Sequence, residues 1–381
     1  MDTDSRSELE LFRSTIRGFC DQHMAPFYEQ WEKDGLVPRE LYNQLGAAGL
    51  LCVDVPEAYG GFGVPAHFSF AVVEELGRAG FTGFCGGMQV HTDIVPPYLV
   101  KFGSEAQKQR WLPKMVSGDV VTAIGMSEPN AGSDLANIKT SAIRTDQGYL
   151  INGSKTFISN GQHADMLLLA AKTDPSQGAR GISMFLVDAS LPGYERGSNL
   201  EKVGHKCADT SELFFNDLLV PHDALLGTAG NGFGMMMEQL GRERMIIGVL
   251  AVGAAEGALA LTAQYVQERQ AFGAPLAQLQ NTRFKLAEIK TQILANASFM
   301  QHCFHAYEHG ELSPELAAAF KLSATEMQCV VMDECLQLFG GYGYMSEYPI
   351  SRAWADARVQ RIYGGTSEIM KEVIARGLLG K

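Results

Sequence analysis

Two glycine-bearing segments in the middle of the chain carry small polar residues that could bind a cofactor. Residues 126–134 could direct hydroxyl and amide N–H groups at a polar heteroaromatic ligand or a phosphate, and the same residues also suit an ordinary strand-to-loop turn. In residues 154–161, the side chains of Phe157 and Ser159 fall on one face of a strand, because side chains alternate. This pair could stack a ring on a flat cofactor beside a hydroxyl, or form a half-buried hairpin edge.

Two further segments could hold a phosphate or a base. In residues 361–368, two glycines precede Thr366, which predicts a helix that begins after Thr366 as its N-cap. The free amides of its first turn could hold a phosphate, or the segment could simply be a capped helix. In residues 241–244, Glu243 lies between two arginines at the start of an apolar run. Desolvation there would raise the pKa of this carboxyl and make it a better base near neutral pH. The alternative is a solvated acid paired with Arg242 and Arg244.

Other standard sites are missing from the sequence. There is no GxxxxGK[ST], GxGxxG, HExxH, EF-hand or GxSxG motif. The nine histidines do not cluster with carboxylates at metal spacing, so we predict no metal site. The seven cysteines form no CxxC pair, which disfavours a zinc site or a disulfide framework and favours a reducing compartment.

Composition limits the class of protein. The 381 residues allow two to four domains, and 46% hydrophobic residues are enough for a large core, which excludes disorder. The net charge of −12 argues against nucleic acid as the main partner. Residues 1–5 are polar and acidic, so we expect neither a signal peptide nor a transit peptide in the sequence as it stands.

The elements that must position these residues fall into three stretches. Apolar residues recur every three or four positions from residue 5 to 119, as in Leu9, Phe12, Ile16 and Phe19, which predicts helices. From 120 to 226, short apolar or alternating runs with turn signals predict strands of a small barrel or sandwich, at 149–151, 156–159, 166–170, 182–187 and 213–215. From 232 onward, four long periodic segments predict a four-helix bundle, with helices at 235–268, 276–308, 314–339 and 350–378.

We therefore predict an α+β multidomain chain of three domains. They are an N-terminal α-helical domain (1–120), a middle β-barrel or sandwich domain (121–228) and a C-terminal four-helix bundle (229–381). Residues 245–263 carry one charge and are nearly long enough to cross a bilayer. Because this run is rich in Gly and Ala and has no aromatic belt, we predict a buried bundle helix and no membrane span.

Taken in this order, the segments resemble the acyl-CoA dehydrogenases, a family of flavoenzymes. The resemblance covers nearly the whole chain. Its most specific stretches are 127–134, 204–215, 268–273, 337–344 and 347–366. The family introduces a double bond between the α and β carbons of an acyl-CoA thioester, giving the trans-2-enoyl-CoA.

The resemblance also implies a cofactor and partners. FAD would lie between the β domain and the bundle, and a neighbouring subunit would complete its site, usually in a homotetramer built as a dimer of dimers. Electrons would pass to an electron-transferring flavoprotein during fatty acid β-oxidation. The implied location is the cytoplasm, or the mitochondrial matrix if a transit peptide has been removed.

The family's site residues map onto positions of this chain. The resemblance implies that the flavin contacts Met126, Ser127, Ser133, Phe157 and Ser159. Further FAD-binding positions, largely across the subunit interface or at the adenosine-diphosphate end, are Arg269, Phe272, Gln280, Gln337, Gly341, Thr366 and Glu368. The implied substrate-binding positions are Ser133, Arg244, Tyr363, Gly364 and Gly365.

The catalytic base departs from the commonest pattern of the family. Many members carry their Glu directly after the Tyr of a Tyr-x-Gly-Thr loop, where this chain has Gly364. The isovaleryl and long-chain types instead carry Gly there and a Glu before an Arg on a bundle helix, as Glu243 and Arg244 stand here. The resemblance therefore implies that Glu243 takes the α proton while the β hydride passes to flavin N5. A flavin ribityl hydroxyl and the Gly365 N–H would stabilise the enolate.

Other functions on the same fold stay open at this point. Relatives act as flavin oxidases, desulfinases or dehydrogenases of carrier-protein thioesters, and a scaffold that has lost catalysis is a further alternative. The acyl group is also open: a straight long or medium chain is our first expectation, and a short branched chain our second.

Overall fold

The computed structural model describes residues 3–380, and its first third is helical. Helix α7 begins at a capping box between Ser104 and Gln107, and α6 begins with Pro96 in its first turn. π-Helical segments, Cys20–Met24 and Val90–Ile94, follow α1 and α5. The helices are α1 Thr3–Phe19, α2 Tyr28–Asp34, α3 Glu40–Ala47, α4 Ala66–Arg78, α5 Thr82–Gln89, α6 Val95–Phe102 and α7 Glu105–Val116.

The middle of the chain forms one curved sheet around its own core. The strands are β1 Thr122–Gly125, β2 Ser141–Arg144, β3 Tyr149–Ser159, β4 Met166–Lys172, β5 Ile182–Asp188, β6 Tyr194–Asn199, β7 Thr210–Val220 and β8 Leu225–Leu226. Their order is β6-β7-β3-β2-β4-β5-β8, and β1 pairs in parallel with β4. Side chains such as Ile151, Leu167, Phe185 and Phe215 fill a core inside the sheet.

The two strands predicted at 149–151 and 156–159 are a single strand, β3. The turn signal at Asn152 and Gly153 is a β-bulge, because the pairing with β7 shifts register between Ile151 and Gly153. Gly153 is needed there, since its φ is +149° and a Cβ would lie 2.6 Å from Oγ1 of Thr140. The prediction of a turn at Asn152 and Gly153 was therefore wrong, although the position does require a glycine.

The last stretch is helical and contains a small hairpin. It comprises α8 Gly232–Glu268, β9 Gln270–Ala271, β10 Ala274–Pro275, α9 Gln280–Glu308, α10 Pro314–Phe339, α11 Pro349–Ala357 and α12 Ser367–Leu379. The predicted single helix over 350–378 is wrong. A short 3₁₀ segment, Arg358–Arg361, and the glycines at 364 and 365, with φ of +62° and +97°, separate α11 from α12. The N-terminal helical, middle β and C-terminal helical arrangement is confirmed.

Helix α8 is the centre of the bundle. Among residues 3–380 it is the one helix long and apolar enough to cross a bilayer, yet 72% of its apolar window is buried inside the protein. Cβ atoms at Gly253 and Gly257 would collide with backbone atoms of Glu74 and Arg78, so these glycines let α8 and α4 pack at close range. The same hydrophobic core includes side chains from the N-terminal helices and from the bundle.

Candidate active site

Glu243 lies on α8 and is buried. Its side chain accepts a hydrogen bond from Tyr98 of α6, with 2.9 Å between Tyr98 Oη and Glu243 Oε1. Only 7% of the residue is exposed. Burial raises the pKa of this carboxyl to about 7, against the opposing effects of the Tyr98 hydrogen bond and of the Arg244 charge. A carboxyl that titrates near neutral pH suits a general base.

The two arginines beside Glu243 do not form ion pairs with it. Arg242 binds Asp54 at 2.6 Å and Asp93 at 3.0 Å, which fixes α8 against the N-terminal helices. Arg244 follows Glu243 directly, and consecutive side chains on a helix point about 100° apart. A solvated acid neutralised by both arginines, the alternative that the sequence left open, does not describe Glu243 in this structure.

Arg244 is a buried cation that has no partner within residues 3–380. It is 6% exposed, forms no hydrogen bond or ion pair with the described residues, and has a buried Nε without an acceptor. Burial lowers the pKa of this guanidinium, while the Glu243 charge acts in the opposite direction. Because a buried charge is costly unless paired, Arg244 suits a polar or anionic group of a ligand.

Gly364 packs against the face of α8 that carries Glu243. A Cβ on Gly364 would lie well inside 3.0 Å from Cδ1 of Ile247, a separation that real Cβ atoms essentially never show. Ile247 lies four residues after Glu243, and residues at this spacing share one face of a helix. The loop that contains Gly364 and the carboxyl of Glu243 therefore border the same region of α8.

Lys321 of α10 holds the neighbouring residue of this loop. Its Nζ donates a hydrogen bond of 2.8 Å to the carbonyl of Gly365. Lys321 is fully buried, and burial lowers the pKa of its ammonium group to about 8. Tyr363 is held as well, because its hydroxyl donates to Oε1 of Gln360 at 2.8 Å.

The predicted N-cap at Thr366 is present. Thr366 Oγ1 accepts a hydrogen bond of 3.3 Å from the amide of Ile369, so α12 begins at Ser367. Glu368 lies exposed in the first turn. The N-terminal end of this helix, which presents free amide groups and a positive dipole, follows directly after the Gly365 loop.

A buried ion pair fixes the segment that contains Met126 and Ser127. Lys155 of β3 donates to the carbonyl of Met126 at 3.0 Å and to Glu128 at 2.9 Å. Glu128 also accepts hydrogen bonds from the amides of Lys139 and Thr140, and the Thr156 amide donates to the Ser127 carbonyl at 3.0 Å. Burial acts to raise the pKa of Glu128, but Lys155 and these donors lower it overall, whereas burial lowers the pKa of the Lys155 ammonium group to about 8 against the effect of Glu128.

Phe157 lies beside this segment with its ring facing outward. It has a φ of +59° at a second register shift of β3 and is 70% exposed, whereas the next residue, Ile158, is buried. Ser159 is partly exposed and Ser133 is exposed. These residues offer an exposed aromatic ring and two hydroxyl groups, and the α12 N-terminus offers free amide groups; such groups suit a flat heteroaromatic cofactor with a phosphate arm.

The other predicted cofactor residues form a second group at the far end of α8. The guanidinium of Arg269 lies 5.2 Å from the centre of the Tyr342 ring, next to Gly341. Phe272, in the turn between β9 and β10, is 96% exposed and has a φ of +55°. The group consists of Arg269, Phe272, Gln280, Gln337 and Gly341. Within residues 3–380, no hydrogen bond, ion pair or ring contact joins it to the other predicted site residues, which we call the first group: Met126, Ser127, Ser133, Phe157, Ser159, Glu243, Arg244, Tyr363, Gly364, Gly365, Thr366 and Glu368.

The sequence analysis missed three residues that contact the first group. Tyr98, Lys155 and Lys321 are all buried and bind Glu243, the Met126 segment and the Gly365 loop, respectively. The sequence could have indicated Lys155, because this lysine directly precedes a predicted strand and a buried lysine needs a partner for its charge. Tyr98 had none, since a tyrosine in an apolar helix usually only packs. Among the described residues no group of His, Cys, Asp and Glu could hold a metal ion.

Three family models match the chain. They are described as the N-terminal, middle and C-terminal domains of acyl-CoA dehydrogenase, and they match residues 6–119, 123–218 and 230–379. Among curated relatives, the long-chain specific acyl-CoA dehydrogenase of Sus scrofa mitochondria is 43% identical over 98% of this chain and 87% of its own length. The mitochondrial isovaleryl-CoA dehydrogenase of Solanum tuberosum is 35% identical over 96% and 89%.

Solved structures agree with this relationship. An acyl-CoA dehydrogenase of Geobacillus kaustophilus has a TM-score of 0.95 and 44% identity, covering 97% of this chain and 98% of its own. A chain from a study of the electron transferring flavoprotein of Acidaminococcus fermentans has a TM-score of 0.95 and 34% identity, with 100% of both chains covered. A glutaryl-CoA dehydrogenase of Mycobacterium smegmatis in complex with FADH2 has a TM-score of 0.93 and 30% identity, covering 100% and 96%.

Proposed function

The chain belongs to the acyl-CoA dehydrogenase family, whose enzymes are oxidoreductases that use FAD, and on this premise we propose that it oxidises long-chain acyl-CoA thioesters to trans-2-enoyl-CoA. The long-chain preference is supported by the 43% identity to the long-chain specific relative. A short branched acyl group, as the name of the isovaleryl-CoA relative indicates, is the second candidate.

We propose that Glu243 is the catalytic base. The observation that carries this proposal is a buried carboxyl on the same helix face against which Gly364 packs, and burial raises the pKa of this carboxyl to about 7. Deprotonated Glu243 takes the α proton of the thioester, whose removal leaves an enolate. The Gly365 N–H stabilises the enolate oxygen, and the Lys321 hydrogen bond to the Gly365 carbonyl keeps that residue in place.

The remaining substrate positions surround this centre. Arg244 offers a buried cation to a polar part of the substrate, and Tyr363 is fixed in the loop by Gln360. We place Ser133 between flavin and substrate. Because Glu243 and Arg244 are both buried, the bound acyl chain would complete the exclusion of water from the carboxyl.

We propose that two chains hold each FAD, which supplies the acceptor for the hydride from the β carbon. One chain would contribute Met126, Ser127, Ser133, Phe157, Ser159, Thr366 and Glu368. A second copy would contribute the separate group at the end of α8, namely Arg269, Phe272, Gln280, Gln337 and Gly341. This division is supported by the 96% exposure of Phe272, an aromatic side chain that a single copy of residues 3–380 leaves uncovered.

The partners follow from the same argument. A site made from two copies requires an oligomer, and we propose a homotetramer arranged as a dimer of dimers, with the three domains bounded as 1–120, 121–228 and 229–381. The electron acceptor would be an electron-transferring flavoprotein, consistent with the neighbour described in a study of such a flavoprotein. We place the enzyme in a bacterial-type cytoplasm or, after removal of a transit peptide, in the mitochondrial matrix.

Anaerobic flavin bleaching tests the proposed function. Purified FAD-loaded enzyme should lose its flavin absorbance on mixing with palmitoyl-CoA, faster than with isovaleryl-CoA. Glu243→Gln should retain FAD but bleach about 10²–10⁴ times more slowly, because the proton acceptor is lost. Glu256→Gln makes the same chemical change on the same helix, in an ion pair with Arg78, and should bleach at the wild-type rate.

Three outcomes would contradict the proposal. Equal bleaching rates for Glu243→Gln and the wild type would show that another group is the base. A flavin that no acyl-CoA bleaches would favour a carrier-protein thioester substrate or a scaffold. Rapid reoxidation by oxygen with release of peroxide would identify an oxidase.

A further inference from the structure

We propose that Tyr98 is a positioning residue for the base: its hydroxyl fixes the Glu243 carboxylate and favours its ionised form, which sets the pH range of catalysis. This inference rests on the proposed role of Glu243 and goes beyond it, since it assigns a function to a residue of the N-terminal domain. Tyr98 lies 145 residues before Glu243 in the chain and reaches it across the contact between α6 and α8.

The geometry restricts Glu243 to one arrangement. Tyr98 is fully buried, and its Oη lies 2.9 Å from Oε1 of Glu243, within the range of an O–H···O hydrogen bond. Within residues 3–380 this is the one hydrogen bond that the Glu243 side chain makes. The second carboxylate oxygen, Oε2, receives no hydrogen bond from the described part of the chain, so it is the oxygen that can take the proton.

While Glu243 is ionised, Tyr98 can only donate in this pair, because a carboxylate has no proton to give. Burial, followed by the nearby Glu243 charge, raises the pKa of the Tyr98 hydroxyl well above its ordinary value. The hydroxyl therefore stays protonated over any pH at which the enzyme works. A donor that never ionises stabilises the carboxylate more than the carboxylic acid, because a hydrogen bond to a charged acceptor is stronger, so it lowers the pKa of Glu243 against the effect of burial.

None of the other charged groups around α8 in residues 3–380 donates a hydrogen bond to the Glu243 carboxylate. Arg242 is neutralised by Asp54 and Asp93, and Lys321 of α10 is directed at the Gly365 carbonyl. From α4, Glu74, Glu75 and Arg78 form an ion-pair network with Arg13 and Glu256, and on the surface Lys101 of α6 pairs with Glu238 of α8. Arg244 is the other group of the described chain that lowers the pKa of Glu243, and it does so through its charge, without a hydrogen bond.

The test is the pH profile of kcat/KM with palmitoyl-CoA, which reports the ionisation of the free enzyme. The wild type should lose activity as the pH falls through about 7. Tyr98→Phe keeps the ring and removes the donor, so the midpoint of this limb should rise by about one pH unit or more. At pH 7 the variant should be slower by about fivefold or more, and near pH 9 the two rates should converge.

Tyr28→Phe is the matched control. Tyr28 is also fully buried in the N-terminal helices, and its hydroxyl accepts a hydrogen bond from the Phe84 amide. This variant should lose some stability but keep the wild-type pH profile. A Tyr98→Phe defect that is equally large at every pH would show a merely structural role, and superimposable profiles would show no role at all.

Infrared spectroscopy provides a second measurement that needs no turnover. The carboxylic acid band that is present in the wild type and absent from Glu243→Gln should persist to higher pH in Tyr98→Phe. An unchanged band would overturn the proposal for Tyr98. Failure of the proposed function is distinguishable. A wild type that no acyl-CoA bleaches would refute the acyl-CoA substrate, and a Glu243→Gln variant with normal turnover would refute Glu243 as the base, and neither result depends on Tyr98.

Discussion

The packing of Gly364 against α8 predicts an energetic coupling between Gly364 and Ile247. A Cβ introduced by Gly364→Ala would collide with Cδ1 of Ile247, while the next atom, Cγ1, lies 3.7 Å away, at ordinary contact distance. Ile247→Val removes Cδ1 and keeps the atom at 3.7 Å. The collision should therefore disappear in the double variant, whereas the backbone strain at a φ of +62° should remain.

The expected magnitudes follow from these two contributions. A residue with a Cβ in the left-handed region costs about 1–2 kcal/mol, and forcing an extra methyl group into a packed site costs about 1–3 kcal/mol. Gly364→Ala should thus lower the free energy of unfolding by about 2–5 kcal/mol in the wild type. In the Ile247→Val background it should cost only about 1–2 kcal/mol, which gives a coupling of about 1–3 kcal/mol.

Urea unfolding of the FAD-loaded protein, at one protein and one FAD concentration, measures this cycle. Gly310→Ala is the control, because Gly310 has a φ of +71° and no atom within 4 Å of its Cβ position. That change should cost the backbone contribution alone and show no coupling to Ile247→Val. If Gly364→Ala costs the same in both backgrounds, the loop does not pack on α8 as described, and the structural argument for Glu243 as the base loses its support.

Three further predictions concern the base, the cofactor segment and the oligomer. Because burial raises the pKa of Glu243 from 4.5 to about 7, the folded state holds a proton that the unfolded state releases. The free energy of unfolding of the wild type should therefore fall as the pH rises from 4.5 to 7. In urea titrations, Glu243→Gln should be more stable than the wild type by about 3 kcal/mol at pH 8 and equally stable below pH 4.5. Lys155→Met leaves the buried Glu128 carboxylate without its cation, so it should lower the free energy of unfolding by about 3–5 kcal/mol and release most of the bound FAD. Adding Glu128→Gln should restore part of the stability and part of the FAD binding, and no recovery would contradict the ion-pair argument. Phe272→Asp should give a smaller species in light scattering, while Leu11→Asp, at a site 71% exposed on α1, should leave the assembly unchanged.

The order of helices and strands was predictable because it depends on local periodicity. The bounds of α10, Pro314–Phe339, coincide with the predicted ones, since Ser313 caps its start and Gly340 ends it. Features that depend on neighbouring chain segments were not predictable. Asn152 and Gly153 look like a turn in the sequence, and only the pairing of β3 with β7 makes them a bulge.

The candidate site shows the same division. Three consecutive charged residues on a helix normally indicate a solvated face, yet Arg242, Glu243 and Arg244 are all buried. Each depends on groups far away in the sequence, such as Asp54 for Arg242 and Tyr98 for Glu243, separated by 188 and 145 residues. Periodicity within one helix carries no information about such partners, so the sequence pattern left a desolvated base and a solvated acid both open for Glu243, and only the family resemblance favoured the base.

Helix α8 carries Glu243 in its first third and leads directly into Arg269 at its C-terminal end. Arg269 lies 26 positions after Glu243, which corresponds to about 39 Å of helix at 1.5 Å per residue. Each inserted residue would turn one end by about 100° relative to the other and lengthen the rod. A single insertion or deletion within this stretch would therefore misalign the carboxyl and the Arg269 group together, which makes the length of α8, more than its composition, the property that evolution has least freedom to alter.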